Sequence, residues 1–191
     1  MKTIPNLLTL SRLLSFPFLL LFLYHFNGIG ALCVFFFAVL SDVLDGYIAR
    51  RTSTVTDFGQ LLDPVVDKLF VLGTFIYFFI IDKIPLWFIG IVVFRDVIQC
   101  VGYFFLWLKK KRFFMPSGWP GKLATGSNFL VILFLIIYAT QHSFLPVPIA
   151  YVLIQYRELI FMSLFIMASC FTVFSLFYYT VVWLRLYRRV T

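Results

Sequence analysis

Long apolar stretches recur along the whole chain, and they constrain its fold more than any other feature. An α-helix needs about 20 predominantly apolar residues to cross a bilayer. Lipid offers no hydrogen bonds to the backbone, so a spanning segment must satisfy its own N–H and C=O groups. The stretches predict an all-α, polytopic integral membrane protein. Its six transmembrane helices are expected at about 6–26, 30–50, 58–81, 86–108, 121–139 and 158–184.

The composition argues against a soluble domain. Charged residues make up 13% of the chain and hydrophobic residues 62%, whereas a soluble domain carries about 25% charged residues. No internal repeat divides the chain, so we predict a single membrane domain over residues 1–191. The segment 143–155 is apolar but short and holds Pro146 and Pro148. We expect it to lie at the interface, to re-enter the membrane, or to begin the sixth helix early.

The basic residues predict the orientation. If the N-terminus is cytoplasmic, Lys83 and Arg157 fall on the outer side, and almost all other basic residues near helix ends fall inside. The positive-inside rule therefore favours six helices with both termini cytoplasmic. The net charge of +8 sits in clusters next to the membrane, which favours anionic lipids over nucleic acid as partners. The basic residues that this orientation places on the cytoplasmic side are Lys2, Arg50, Arg51, Lys109, Lys110, Lys111, Arg112, Lys122, Arg185, Arg188 and Arg189.

Five of the eight acidic residues lie within residues 41–69. A carboxylate at the centre of a membrane helix costs about 2.5–3.5 kcal/mol or more. Asp42 and Asp45 are three residues apart, and Asp63 and Asp67 are four apart, so each pair shares a helix face. A short loop joins the two predicted helices, so the pairs can face each other near the cytoplasmic side. Such carboxylates favour two Mg²⁺ or Mn²⁺ ions and a polyphosphate ester as substrate.

Small and basic residues accompany the aspartates. Gly46, Ala49 and Gly59 either allow close helix packing or leave room for a ligand, and beside the aspartates we favour the ligand. Arg50 either flanks the helix as a topology signal or holds a phosphate through paired hydrogen bonds.

The spacing Asp42-x2-Asp45-Gly46-x2-Ala49-Arg50-x8-Gly59-x3-Asp63-x3-Asp67 resembles the signature of the CDP-alcohol phosphotransferase family. The resemblance implies an enzyme that moves a phosphatidyl or similar group from a CDP-linked donor to an alcohol and releases CMP. It also implies a six-helix fold and a homodimer.

The resemblance further implies roles for individual residues. The four aspartates would hold two divalent cations on the diphosphate, and Asp67 would also deprotonate the acceptor hydroxyl. The remaining motif positions would bind the CDP donor. These are Gly46, Ala49 and Gly59 around the cytidine, Arg50 on phosphate, and Thr56 and Asp57 beside the nucleotide.

Two further elements suggest the acceptor. "IPNLLTLSRLL" at 4–14 and "GKLATGSNF" at 121–129 are similar to elements of bacterial phosphatidylglycerophosphate synthases and CMP-forming cardiolipin synthases. We predict transfer of the phosphatidyl group from CDP-diacylglycerol to glycerol 3-phosphate, with phosphatidylglycerol as the alternative acceptor. Both acceptors carry a phosphate, for which Arg95, Lys122 and Arg12 are the candidate ligands.

Adjacent Arg95 and Asp96 lie inside the fourth predicted helix and allow two interpretations. They either form a buried structural pair, or Arg95 faces the pocket and binds the acceptor phosphate. Phosphatidylglycerophosphate synthases usually have Arg-Glu here and a further Arg two turns later, where this chain has Tyr103. That difference leans towards the cardiolipin synthases.

A transporter or channel is the hypothesis from another functional class, since acidic residues in a helical bundle can line a cation pathway. Here they gather near one face, and the halves show no inverted repeat. We therefore expect an enzyme, with its active site near the cytoplasmic face. The resemblance to bacterial synthases implies that its membrane is the bacterial inner membrane.

Overall fold

Helices make up nearly all of the chain that the structure describes. This structure, a computed structural model, describes residues 4–52, 57–108, 118–141 and 146–188. No strand occurs among those residues, which confirms the predicted all-α fold. The helices are α1 (Ile4–Tyr24), α2 (Gly28–Thr52), α3 (Asp57–Ile80), α4 (Leu86–Leu108), α5 (Trp119–Thr140), α6 (Val147–Gln155) and α7 (Arg157–Arg188).

The predicted helices 1 to 6 correspond to α1 to α5 and α7, and α7 extends four residues beyond the predicted end at residue 184. The apolar segment before α7 forms α6, a helix of nine residues. Pro146 precedes it in an extended conformation, with φ −58° and ψ 142°, and Pro148 lies in its first turn, where a missing N–H costs no helical hydrogen bond. Tyr156 separates α6 from α7, so α6 is a helix of its own.

Two helices in the described ranges are long and apolar enough to cross a membrane, α5 over Trp119–Thr140 and α7 over Arg157–Trp183. Shorter apolar stretches lie in α1, α2 and α3. Only 28% of the apolar window of α7 is buried, and Phe174 and Phe177 are among its exposed side chains. An apolar helix with most of its surface exposed suits a lipid environment. Apolar helices thus indicate a membrane protein, whereas the number of spans and their orientation stay predictions.

The backbone contacts divide the chain into two compact units. Unit 1 comprises Met1–Lys83 and Ile132–Tyr156. In it, α1 packs against both α2 and α3. Its core is apolar, and its most buried side chains include Leu19, Leu23, Ala31, Phe35, Phe75 and Phe78.

The connections after α1 and α3 in unit 1 share one conformation. Phe26 and Asp82 have φ of 53° and 55°. The next residue donates its backbone N–H back into the helix, from Asn27 to the Phe22 carbonyl and from Lys83 to the Phe78 carbonyl, each at 2.9 Å. This is the hydrogen bond of a left-handed helix end. The Asn27 side chain then accepts the N–H of Gly30 at 2.9 Å and caps α2.

Unit 2 comprises Ile84–Val131 and Arg157–Thr191, and α4 packs on α7 within it. Three contacts follow each other along the two helices. The rings of Phe88 and Phe165 are 4.9 Å apart, Arg95 contacts Ser175, and Gly102 lies against the indole of Trp183. Because the residue numbers rise together along both helices, α4 and α7 run parallel.

Candidate active site

The four aspartates of the motif lie on two helices of unit 1. Asp42 and Asp45 are in the C-terminal half of α2, and Asp63 and Asp67 are in the N-terminal half of α3. The backbone is α-helical through all four positions, so the three- and four-residue spacings place each pair on one helix face. The side chains of these aspartates lie outside the described part of the structure. Their convergence on metal ions therefore stays a prediction.

The connection between α2 and α3 limits how far the two pairs can separate. Helix α2 ends at Thr52 and α3 begins at Asp57. Five steps of 3.8 Å along the chain keep the Cα atoms of Thr52 and Asp57 within about 19 Å of each other. Both helices also pack on α1. The chain thus holds both acidic helix segments in one unit, as the predicted site requires.

The predicted donor-binding residues fall on the same two helices. Gly46, Ala49 and Arg50 follow the first aspartates on α2, and Gly59 lies in the first turn of α3. Their side-chain surroundings lie outside the described part of the structure. Thr56 also lies outside the described residues, whereas Asp57 is the first residue of α3. The predicted contacts of these residues with cytidine and phosphate therefore stay predictions.

The predicted acceptor ligands Arg12 and Lys122 lie on different helices. Arg12 is on α1, and its side chain lies outside the described residues. Lys122 is exposed in the first turn of α5. The preceding Gly121 lies directly against Tyr179 of α7, and a Cβ at Gly121 would clash with the tyrosine hydroxyl and lie 3.1 Å from ring carbons Cε2 and Cζ. The glycine of the Gly-Lys element therefore lets α5 approach α7 closely within unit 2.

Arg95 forms the buried pair that the sequence suggested as one of two interpretations. Arg95 and Asp96 are 7% and 6% exposed. Nη1 of Arg95 donates to Oδ1 of Asp96 at 2.9 Å, and Nη2 donates to Oγ of Ser175 at 3.3 Å. Nε is buried and has no hydrogen-bond partner among the described residues. The acceptor-binding role of Arg95 stays a prediction beside this observed structural pairing.

Ser175 was not among the residues that the motifs indicated. It is fully buried on α7, C-terminal to the motif and to the two elements that carry the resemblance. Thr172 is equally buried one turn earlier, but its hydroxyl donates to the Ala168 carbonyl of its own helix at 2.7 Å. The available sequence signal was a row of small polar residues on an apolar helix, which is typical of helix–helix contacts in membranes.

Unit 2 contains several buried polar atoms that have no hydrogen-bond partner among the described residues. Besides Nε of Arg95, Oδ1 of Asn128 on α5 and Oγ of Ser169 on α7 are buried with no hydrogen bond to the described residues. A buried polar atom without a partner is unfavourable, and water or a ligand commonly satisfies it.

Comparison with known proteins identifies relatives of two kinds. A protein of Aquifex aeolicus named CDP-diacylglycerol--glycerol-3-phosphate 3-phosphatidyltransferase is 36% identical over 125 residues, which cover 64% of this chain and 68% of the relative. A Pseudomonas fluorescens protein of the same name is 52% identical over 71 residues, covering 36% of each chain. A Drosophila melanogaster protein named "Probable cardiolipin synthase (CMP-forming)" is 42% identical over 96 residues, covering 50% of this chain. The chain spans only 30% of the length of that third relative.

A family comparison covers more of the chain than any of these pairwise matches. The sequence model of the CDP-alcohol phosphatidyltransferase family matches residues 2–174. That range includes all four aspartates and the elements at 4–14 and 121–129, and it confirms the resemblance inferred from the motif. The chain belongs to the CDP-alcohol phosphatidyltransferase family.

Proposed function

We propose that this protein transfers the phosphatidyl group of CDP-diacylglycerol to glycerol 3-phosphate and releases CMP. The observation that carries the proposal is the complete family motif on two helical segments, within a chain that matches the family over residues 2–174. The printed names of the Aquifex and Pseudomonas relatives describe this donor and this acceptor. The same observations favour a transferase over a cation transporter.

A second candidate is a CMP-forming cardiolipin synthase, which would use phosphatidylglycerol as the acceptor. The name of the Drosophila relative supports it. The Arg95-Asp96 sequence also supports it, because Arg-Asp is commoner in cardiolipin synthases, whereas phosphatidylglycerophosphate synthases usually have Arg-Glu at this position. Since both acceptors carry a phosphate, the basic residues alone do not separate the two candidates.

In the proposed reaction, one oxygen of the Asp67 carboxylate takes the proton of the acceptor hydroxyl. The hydroxyl oxygen then bonds to the phosphorus that carries diacylglycerol, and the bond from that phosphorus to the CMP oxygen breaks. CMP leaves with the electron pair of the broken bond. Arg50 binds a phosphate of the donor, and Gly46, Ala49 and Gly59 leave space for the cytidine. A general base that is positioned to take such a proton typically increases the reaction rate by about 10²–10⁴-fold.

The motif also fits a pair of divalent cations. Members of this family use divalent metal ions, and carboxylate oxygens are the ligands that Mg²⁺ and Mn²⁺ prefer. Asp42, Asp45, Asp63 and Asp67 would hold them, because helical spacing puts each pair of carboxylates on one face. Bound cations would neutralise the carboxylates and stabilise negative charge on the diphosphate.

Six transmembrane helices with both termini in the cytoplasm remain part of the proposal. The parallel packing of α4 on α7 supports it, because parallel neighbours require an odd number of crossings between them. Helix α5 supplies one crossing. At 1.5 Å per residue, the nine residues of α6 extend for only about 13.5 Å, which is too short for a bilayer core of about 30 Å. This topology places the aspartates near the cytoplasmic face, which would be that of a bacterial inner membrane.

We also propose that the chain forms a single functional domain and assembles as a homodimer. The family match runs through residues of both compact units, which supports one functional domain over residues 1–191. The family resemblance favours a homodimer, which crosslinking of the purified protein in lipid nanodiscs would test.

CMP release tests the function directly. Purified protein in detergent is incubated with CDP-diacylglycerol and Mg²⁺, with glycerol 3-phosphate, phosphatidylglycerol or inositol 1-phosphate in parallel reactions. We expect release with glycerol 3-phosphate and its loss after chelation, with recovery when Mg²⁺ or Mn²⁺ is restored. Release with phosphatidylglycerol alone would identify the second candidate. No release with any acceptor would refute the transferase.

Asp67→Asn is the matched test of the site. We expect it to reduce CMP release by at least about 10²-fold, since a positioned base is removed. Asp82→Asn is the control, because Asp82 is exposed in the turn after α3, and it should keep wild-type activity. Equal activity of Asp67→Asn and wild type would contradict the role of the motif.

A further inference from the structure

We infer that Ser175 is a positioning residue, whose hydroxyl orients the Arg95 guanidinium to bind the phosphate of the acceptor alcohol. This inference rests on the proposed function and on the predicted role of Arg95. It adds a residue of α7, a helix that the sequence motifs left without any functional residue.

The hydrogen bonds of Arg95 involve both of its Nη atoms and leave its Nε–H without a partner among the described residues. A guanidinium has five N–H donors in a rigid plane. Nη1 is bonded to Asp96 and Nη2 to Ser175, while Nε is buried without a partner among the described residues. Two anchors on the two Nη atoms fix the orientation of the plane and therefore of the Nε–H bond. A phosphate oxygen would supply the acceptor that the Nε–H group lacks. Arginine binds phosphate through strong, charge-assisted hydrogen bonds of defined geometry.

Asp96 and Ser175 contribute differently to this orientation. Asp96 follows Arg95 on the same helix, so its carboxylate balances the buried charge from within α4. Ser175 is on α7, and its bond to Nη2 fixes Arg95 relative to that helix. The Phe88–Phe165 contact on one side and the Gly102–Trp183 contact on the other hold Ser175 opposite Arg95.

The hydroxyl of Ser175 is also distinct from the neighbouring hydroxyls of unit 2. Thr172 on α7 and Ser127 on α5 are buried, but each donates to a carbonyl of its own helix, at 2.7 Å and 2.9 Å. Ser175 accepts a hydrogen bond from a charged side chain on another helix. Loss of a hydrogen bond to a charged group has larger effects than loss of a neutral one.

The test compares Ser175→Ala with Ser175→Thr and Thr172→Val in the CMP-release assay. The acceptor is the one that wild type uses, and the KM values for acceptor and CDP-diacylglycerol are measured separately, together with Tm. We expect Ser175→Ala to raise the acceptor KM by about three- to tenfold, with the donor KM unchanged. Ser175→Thr should restore most of the difference, because it keeps a hydroxyl. Thr172→Val should leave both KM values unchanged, since it removes a buried hydroxyl that is bonded only within α7.

The outcomes separate this inference from the proposed function. If wild type releases CMP and Ser175→Ala leaves the acceptor KM unchanged, the transferase stands and the positioning role is wrong. A decrease in Tm without a change in acceptor KM would likewise show a purely structural role. If wild type neither releases CMP nor gains thermal stability from glycerol 3-phosphate or phosphatidylglycerol, both proposals fail.

Discussion

Arg95 and Asp96 bring opposite charges into the buried interior of unit 2, where their side chains are each 8% exposed. Removing one partner of a buried ion pair leaves the other charge uncompensated, which typically costs about 3–5 kcal/mol. We therefore expect Asp96→Ala to lower the free energy of unfolding in detergent by about 3 kcal/mol. The double variant Arg95→Met with Asp96→Ala should lose less, since no charge stays buried. A larger loss in the double variant than in Asp96→Ala would show that the pair itself stabilises the fold.

Two glycines of α5 offer a matched test of close helix packing. A Cβ at Gly121 would clash with the Tyr179 hydroxyl, whereas a Cβ at Gly126 would meet no atom within 4 Å. We expect Gly121→Ala to destabilise the protein by about 1–3 kcal/mol through overpacking. Gly126→Ala should stabilise it by about 0.5–1 kcal/mol, because alanine loses less conformational freedom than glycine when it enters a helix. Thermal unfolding of both variants measures the difference, and Tyr179→Phe should relieve part of the Gly121→Ala defect. If both alanine variants shift Tm equally, the contact with Tyr179 has no energetic importance.

Helices α1 and α3 end in the same left-handed conformation, but with different residues in it. Phe26 has a φ of 53°, and a residue with a Cβ loses roughly 1–2 kcal/mol in that region. Asp82 has a φ of 55°, but aspartate tolerates it better because its short side chain can hydrogen-bond locally. We expect Phe26→Gly to raise the free energy of unfolding by about 1 kcal/mol, and Asp82→Gly to raise it by less. Parallel denaturation of the two variants is the measurement, and a larger gain from Asp82→Gly would contradict the explanation.

The proposed membrane topology predicts which connections between helices are accessible from outside the cell. In a background without Cys33, Cys100 and Cys170, single cysteines are introduced as Asp82→Cys, Tyr156→Cys or Lys110→Cys. We expect a membrane-impermeant maleimide to label the first two in intact bacterial cells, because they follow α3 and α6 on the predicted outer side. Lys110→Cys should be labelled only after permeabilisation. If Tyr156→Cys were labelled only after permeabilisation, the connection between α6 and α7 would lie on the cytoplasmic side. That result would contradict the six-helix topology.

The sequence alone was sufficient for the helices and for the family. Apolar stretches of membrane-spanning length predict helices, because a backbone in lipid must satisfy its own hydrogen bonds. Six of the seven helices in the described ranges lie within a few residues of the predicted positions. The aspartates were recognisable because carboxylates are costly in an apolar helix and their spacing follows the helical repeat. Both signals are local, so they can be read without knowing which helices are neighbours.

Contacts between distant parts of the chain needed the tertiary structure. Ser175, the partner of Arg95 on α7, lies 80 residues away along the chain, and no local sequence signal predicts that these two residues meet. The parallel packing of α4 on α7 and the contact of Gly121 with Tyr179 depend on which side chains meet across helices. Close packing between helices sets these pairings, whereas hydropathy along the chain reports only which segments are apolar. Thus the sequence determined the apolar helices and the family motif, and the tertiary structure alone determined how Arg95 is held.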